Sequence, residues 1–130
     1  MKTASYHILR VGMAITFIWI GILIIKSPES WGGYVQPWVT NFLPIPLEQI
    51  MIGTAIFDIV IGILFLVDWQ VWVAGLLGAL HLLSVLIVSG ITDITVRDVG
   101  LLAATLVLML DSLPIGLMNI KIIFKKNNPE

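Results

Sequence analysis

Apolar residues run through this chain in long blocks, and the polar positions fall mainly between them. Four blocks stand out, at about 6–25, 47–67, 71–88 and 98–118. A helix rises about 1.5 Å per residue, so about 20 mainly apolar residues cross a hydrocarbon core of about 30 Å. No block alternates with the period of two that marks a strand, and an open strand edge has no stable place in lipid. The pattern predicts four transmembrane helices in one domain, residues 1–130, with a tail at 119–130. Only "DWQ" separates the second block from the third, which leaves an antiparallel hairpin as the connection. The link "SGITDITVR" before the fourth block is also short. The expected fold is therefore all-α, an antiparallel transmembrane four-helix bundle.

The connection between the first two blocks differs in kind. "WGGYVQPWVTNFLPIP" carries Trp31, Tyr34, Trp38 and Phe42 together with three prolines. Aromatic residues of this sort favour the headgroup region, and Pro37 suits the first turn of a short helix. Trp31, Val35, Trp38 and Phe42 would then share one face, and the segment would lie along the membrane surface. A plain loop with scattered aromatics is the alternative.

Composition strengthens the membrane reading. Of 130 residues, 58% are hydrophobic and 12% charged, and mean hydropathy is +1.04. Soluble domains carry about 25% charged residues, and a soluble chain so poor in charge would expose large apolar patches. Net charge is −1, so nothing suggests nucleic acid as a partner. With no cysteine, disulfides, thiol redox chemistry and cysteine-held iron–sulfur or zinc centres are excluded. The N-terminus has a basic start and an apolar run but no small-x-small cleavage pattern after it, so it reads as a retained first span. Lys2, Arg10, Lys121, Lys125 and Lys126 fall on the side of both termini, against Lys26 and Arg97 on the other. That bias predicts a multi-pass protein of the cell membrane with both termini cytoplasmic and the aromatic connection outside. The tail "KIIFKKNNPE" reads as a polybasic end on an anionic leaflet or as a simple stop-transfer anchor.

Polar residues inside the blocks carry the candidate chemistry. Asp58 lies eleven residues after Leu47, about 16 Å in from the outer surface. His81 lies ten residues after Val71, about 15 Å in from the inner one. In a core of about 30 Å the two meet near the midplane on adjacent helices. A lone aspartate there would cost about 2.5–3.5 kcal/mol to insert, or would take up a proton. His81 is its natural partner. Thr54, Asp58 and Gly62 line one face of the second span, and Ala74, Gly78, His81 and Ser84 one stripe of the third. A second pair is expected nearer the cytoplasm. Arg10 and Asp111 come close in depth, and a guanidinium fork suits a carboxylate. The face Arg10, Ala14, Phe17 and Gly21 should meet the face Gly100, Ala104, Val107 and Asp111. Lys26, Glu48, Arg97 and Asp98 fall at the outer rim, where solvation is their ordinary state.

Two readings compete for the buried pairs. Polar contacts can fix helix register and do no chemistry. An ionisable group in the bilayer also marks a ligand or proton path. Asp58 and His81 could hydrogen-bond a quinone carbonyl and relay its proton. His7 and His81 differ too much in depth to share a haem. A site of Asp58 and His81 alone has too few ligands for a metal. No phosphate loop, nucleophile elbow or zinc helix is present, so the chain carries no self-contained catalytic motif.

Three stretches together resemble the DoxX-like family of small membrane proteins. "LRVGMAITFIWIGILIIKSP" is similar to its first span, and "FDIVIGILFLV" to its second, with Asp58 and Gly62 in the acid and glycine places. "RDVGLLAATLVLML" resembles the opening of its last span through Arg97, Asp98 and Gly100. The likeness covers about residues 9–110. The family's second-span acid is usually glutamate, its lysine usually follows the glycine more closely than Lys26 follows Gly21, and His81 matches no family motif. The resemblance implies a four-helix bundle and a link to quinone-dependent sulfur oxidation, since the related DoxD subunits belong to thiosulfate:quinone oxidoreductase.

The expected function is thus an integral-membrane accessory subunit of a larger complex, quinone-linked and respiratory or sulfur-oxidising. One alternative is a DoxD-like subunit that takes part directly in thiosulfate:quinone oxidoreduction. Another is a small proton-coupled carrier. No covalent cofactor is expected. Lipid and other membrane subunits are the expected partners, and the chain could also self-associate.

Overall fold

The computed structural model describes residues 2–117 and Lys126. Within them the chain forms helices α1 (Ala4–Lys26), α2 (Pro28–Gly32), α3 (Pro37–Thr40), α4 (Leu47–Leu66), α5 (Val71–Ser89) and α6 (Val96–Asp111), then a 3-10 turn at Ile115–Leu117. No strand occurs among the described residues. Helices α1, α4 and α5 are each long and apolar enough to cross a membrane, as the sequence blocks anticipate, and the protein reads as a multi-pass membrane protein.

Local chemistry sets the helix ends. The Thr3 hydroxyl accepts from the Tyr6 N–H at 3.2 Å and caps α1. Pro28 and Pro37 occupy the first turns of α2 and α3, where a missing N–H costs nothing. Between α4 and α5 the chain reverses within four residues, and Asp68 and Gln70 take left-handed conformations with φ of 57° and 49°. Helix α6 starts two residues earlier than the expected fourth span and has 16 residues, a length of about 24 Å. Pro114 explains its early end, because the residue before a proline is pushed out of the helical region. The tail at 119–130 lies outside the described residues apart from Lys126.

Missing side chains let the helices approach closely. A Cβ on Gly62 would lie 3.0 Å from the Ala14 carbonyl oxygen, and one on Gly21 would lie 2.7 Å from that of Ala55, so α1 and α4 meet backbone to backbone. Gly75 does the same for α5 and α6, with the Thr105 oxygen and Met109 nitrogen at 2.8 Å. Phe17, Ile61, Phe65 and Leu108 fill the centre, and Ile24, Met51 and Ala55 form a second cluster roofed by Trp31 and Val35. Ile8, Trp19, Ile56 and Leu80 point outward, as residues facing lipid do.

This arrangement corrects one expected contact. Arg10, Ala14, Phe17 and Gly21 are buried as a face, but that face lies mainly on α4 rather than α6. On α6 the inward residues are Leu101, Leu102, Thr105 and Leu108, whereas Gly100 looks onto open space and Val107 and Asp111 are exposed. The aromatic connection also divides differently. Trp31 and Val35 turn in against the second cluster, while Trp38 and Phe42 are exposed. The Gln36 N–H donates to the Val88 carbonyl at 3.0 Å and ties this connection to the end of α5.

Candidate functional site

Helices α1, α4, α5 and α6 and the aromatic connection line a partly open cavity of about 630 Å³. Its walls are mainly apolar, with Phe17, Ile20, Met51, Leu82 and Val85 among them. Asp58 from α4 and His81 from α5 face it, and Arg97 and Asp98 from the first turn of α6 line it as well. Asp58 sits one helical turn before Gly62, on the side of α4 that faces the other helices, and is 4% exposed.

The structure brings Asp58 and His81 together. His81 Nε2 lies 3.0 Å from Asp58 Oδ1. The contact is an ion-pair distance without hydrogen-bond alignment: Oδ1 is fully buried and accepts no hydrogen bond from the described residues. The distance fixes proximity, and the misalignment leaves the acceptor unanswered. The Phe57 ring meets the imidazole edge to face, with centroids 5.5 Å apart, and limits its rotation.

Asp98 joins this group. The sequence places it at a solvated rim, yet it is half-buried, lines the cavity and lies within electrostatic reach of His81, Arg97 and Asp58. Lys26, Glu48 and Arg97 are exposed. Two carboxylates, one imidazole and one guanidinium therefore share one largely apolar space. Such a set can orient a small amphipathic molecule and exchange a proton with it. Among the described residues no group of three His, Asp or Glu could hold a metal ion.

The expected Arg10–Asp111 pair is not the one formed. Arg10 Nε lies 3.4 Å from Asp68 Oδ1. Its Nη1 donates to the carbonyls of Phe65 and, at 2.9 Å, Leu66. Arg10 thus caps the end of α4, where carbonyl groups lack helical partners. The Tyr6 hydroxyl lies 2.8 Å from Ser112 Oγ and 3.5 Å from Asp68 Oδ1. These contacts join α1, the α4–α5 turn and the end of α6. The Asp111 backbone carbonyl accepts from Lys2. The physical reason is packing: α1 lies on α4, so the turn after α4 reaches Arg10 first. Asp68, Tyr6 and Ser112 escaped the sequence reading. The usable signal was Asp68, an acid at the same membrane side as Arg10.

The chain matches no protein-family model, no curated protein and no solved structure. Gly62 and Gly100, singled out by the family resemblance, differ in role: Gly62 is a close-contact point and Gly100 touches nothing.

Proposed function

We propose that this protein is a subunit of the cell membrane that holds the head of a quinone-type ligand on Asp58 and His81, and that it serves a larger respiratory or sulfur-oxidising complex. The observation that carries this reading is the cavity beside the ion pair. Small-molecule sites have volumes of about 300–1,000 Å³, mainly apolar walls and a few convergent polar groups, and the cavity of about 630 Å³ has that character. A pair serving helix register alone has no need of such space.

The donor set suits the ligand class. His81 can donate to a carbonyl, Asp58 Oδ1 is a buried acceptor without a hydrogen bond, and the apolar walls accept a hydrocarbon body. When bound, a quinone-type group supplies two-electron, two-proton chemistry. The chain's own residues bind and orient it. His81 Nε2, 3.0 Å from Asp58 Oδ1, is near enough to the carboxylate for the two groups to share the handling of one proton. Asp98 lines the same cavity within electrostatic reach of the His81 imidazole, beside the exposed Arg97, and in this reading it passes the proton on toward solvent.

In this reading α6 acts as a fourth, shorter span and completes an antiparallel four-helix bundle. The bias of basic residues along the sequence supports a cytoplasmic side for both termini. Helices α2 and α3 then lie at the outer interface, with Trp38 and Phe42 among the headgroups. The DoxX-like resemblance agrees with such a bundle and with a quinone-linked partner.

The test is to purify the protein in mild detergent and extract what accompanies it. Quinone should co-purify, and Asp58→Asn and His81→Ala should each lose it while helix content is retained. A stoichiometric partner complex that carries no quinone and persists in both variants would overturn the ligand role and leave an accessory one.

A further inference from the structure

We infer that the connection carrying α2 and α3 is a strap across the mouth of a one-ended cavity, that Gln36 latches this strap to the end of α5, and that the Asp58–His81 pair is consequently reached from that face of the membrane alone. This route of access is independent of which ligand the pair holds.

The cavity occupies one half of the molecule. Its lining begins at Thr16 on α1 and His81 on α5, and goes no further than Asp58 on α4 and Leu101 on α6. The opposite half is closed. Ile61, Phe65, Thr105 and Leu108 are fully buried there, and the close backbone approach at Gly62 and Gly75 leaves no room between the helices. Asp58 and His81 thus mark the inner end of the space. Trp31, Tyr34, Val35, Val39 and Leu43 of the connection line its outer end.

The two parts of the connection are held differently. Packing anchors α2: Gly32 is buried, a Cβ on it would lie 3.2 Å from the Leu47 side chain, and Trp31 packs on the second apolar cluster. Helix α3 buries none of its residues. Among the described residues, the hydrogen bonds of residues 37–43 stay within 36–43. Gln36 makes the link to the bundle. Its N–H donates to the Val88 carbonyl at 3.0 Å, its Nε2 to the Ser89 carbonyl at 3.5 Å, and its Oε1 accepts from Trp38 Nε1 at 2.6 Å. Val88 and Ser89 end α5, where carbonyls lack helical partners and water can replace a protein donor. Gly90 makes room for the latch, since a Cβ there would lie 2.7 Å from Gln36 Nε2. A segment with few buried contacts, held through one polar residue, opens at small free-energy cost.

The chain has no cysteine, so single introduced cysteines report access. Thr54→Cys sits on the cavity wall one turn before Asp58. Thr40→Cys sits on the exposed side of α3, and Gln70→Cys in the exposed turn at the other end of the bundle. Each full-length variant is placed in sealed membrane vesicles of either orientation and treated with a membrane-impermeant maleimide. Thr54→Cys should label in the orientation that labels Thr40→Cys, and stay unlabelled in the one that labels Gln70→Cys. Adding Gln36→Ala should raise its rate about two- to tenfold. Trp38→Phe, which removes the donor to the Gln36 amide, should act in the same direction. Labelling of Thr54→Cys from the Gln70→Cys face, from both faces, or from neither even with Gln36→Ala overturns the inference. A rate that Gln36→Ala leaves unchanged while helix content is retained overturns it as well. If Gln36→Ala fails to fold, the sidedness and the Trp38→Phe rate decide.

Discussion

His81 Nε2 stands 3.0 Å from Asp58 Oδ1, with one residue on each arm of the α4–α5 hairpin. Buried ion pairs contribute little net stability, because desolvation offsets their attraction, but breaking one from a single side leaves an uncompensated charge. His81→Leu should therefore destabilise the protein by up to about 3–5 kcal/mol, and Asp58→Leu similarly. The double variant Asp58→Leu/His81→Leu should recover most of the loss. Denaturation in detergent, followed by helix content, gives the three values. A double variant as unstable as the sum of the singles would mean that the pair does not act as a unit.

Arg10 supports the structure through backbone carbonyls more than through its ion pair. Its contacts to Phe65 and Leu66 are buried or nearly so, whereas the Asp68 side chain is 43% exposed. Hydrogen bonds from a charged donor contribute about 1.5–3 kcal/mol, and exposed pairs about 0–1 kcal/mol. Arg10→Ala should accordingly cost at least about 2 kcal/mol, and Asp68→Asn less than about 1 kcal/mol. Chemical denaturation of both variants under one detergent condition checks the order. A larger loss for Asp68→Asn would reverse the assignment.

Gly62 and Gly12 make a matched pair of probes. A side chain at Gly62 meets Ile18 and the backbone of α1, where nothing flexible can yield fully. Gly62→Val should destabilise by about 1–3 kcal/mol, as overpacking does. An added Cβ at Gly12 meets nothing within 4 Å. Gly12→Ala should be neutral or stabilising by up to about 1 kcal/mol, since alanine is the better helix former. Thermal scans of both proteins test this, and equal effects would argue against close α1–α4 contact.

The reach of sequence reasoning can be judged from these same residues. Spans α1, α4 and α5 are legible because apolar length alone decides them. Asp58 and His81 are legible as neighbours because a short hairpin fixes relative depth, and depth along a helix is simple arithmetic. Arg10 is different. Its partner depends on which helix packs beside α1, and depth says nothing about lateral neighbours. Gly21 and Gly62 carried that information as sites of close approach, but small residues do not name the helix they approach. Asp98 differs for a related reason: its position at the start of α6 suggests solvent, while its place on the cavity that His81 also lines is a tertiary fact. The cavity itself is a space between elements, and no pattern along one chain encodes it directly.

Two non-glycine residues hold left-handed conformations in the α4–α5 turn, and they predict different responses to the same substitution. Gln70, with φ 49° and ψ 42°, precedes α5, is exposed and makes no side-chain cap hydrogen bond. Left-handed backbone costs an L-residue about 1–2 kcal/mol, and glycine avoids most of that cost while giving up some unfolded-state entropy. Gln70→Gly should therefore raise stability by up to about 1 kcal/mol. Asp68, with φ 57°, has the same strain, but its carboxylate meets Arg10 at 3.4 Å and Tyr6 at 3.5 Å. Asp68→Gly relieves backbone strain and removes both contacts, so its net effect should be near zero or destabilising. Melting in detergent, with both variants beside the wild type, decides the point. If Gln70→Gly melts below the wild type, the turn does not hold the conformation on which the Arg10–Asp68 contact depends.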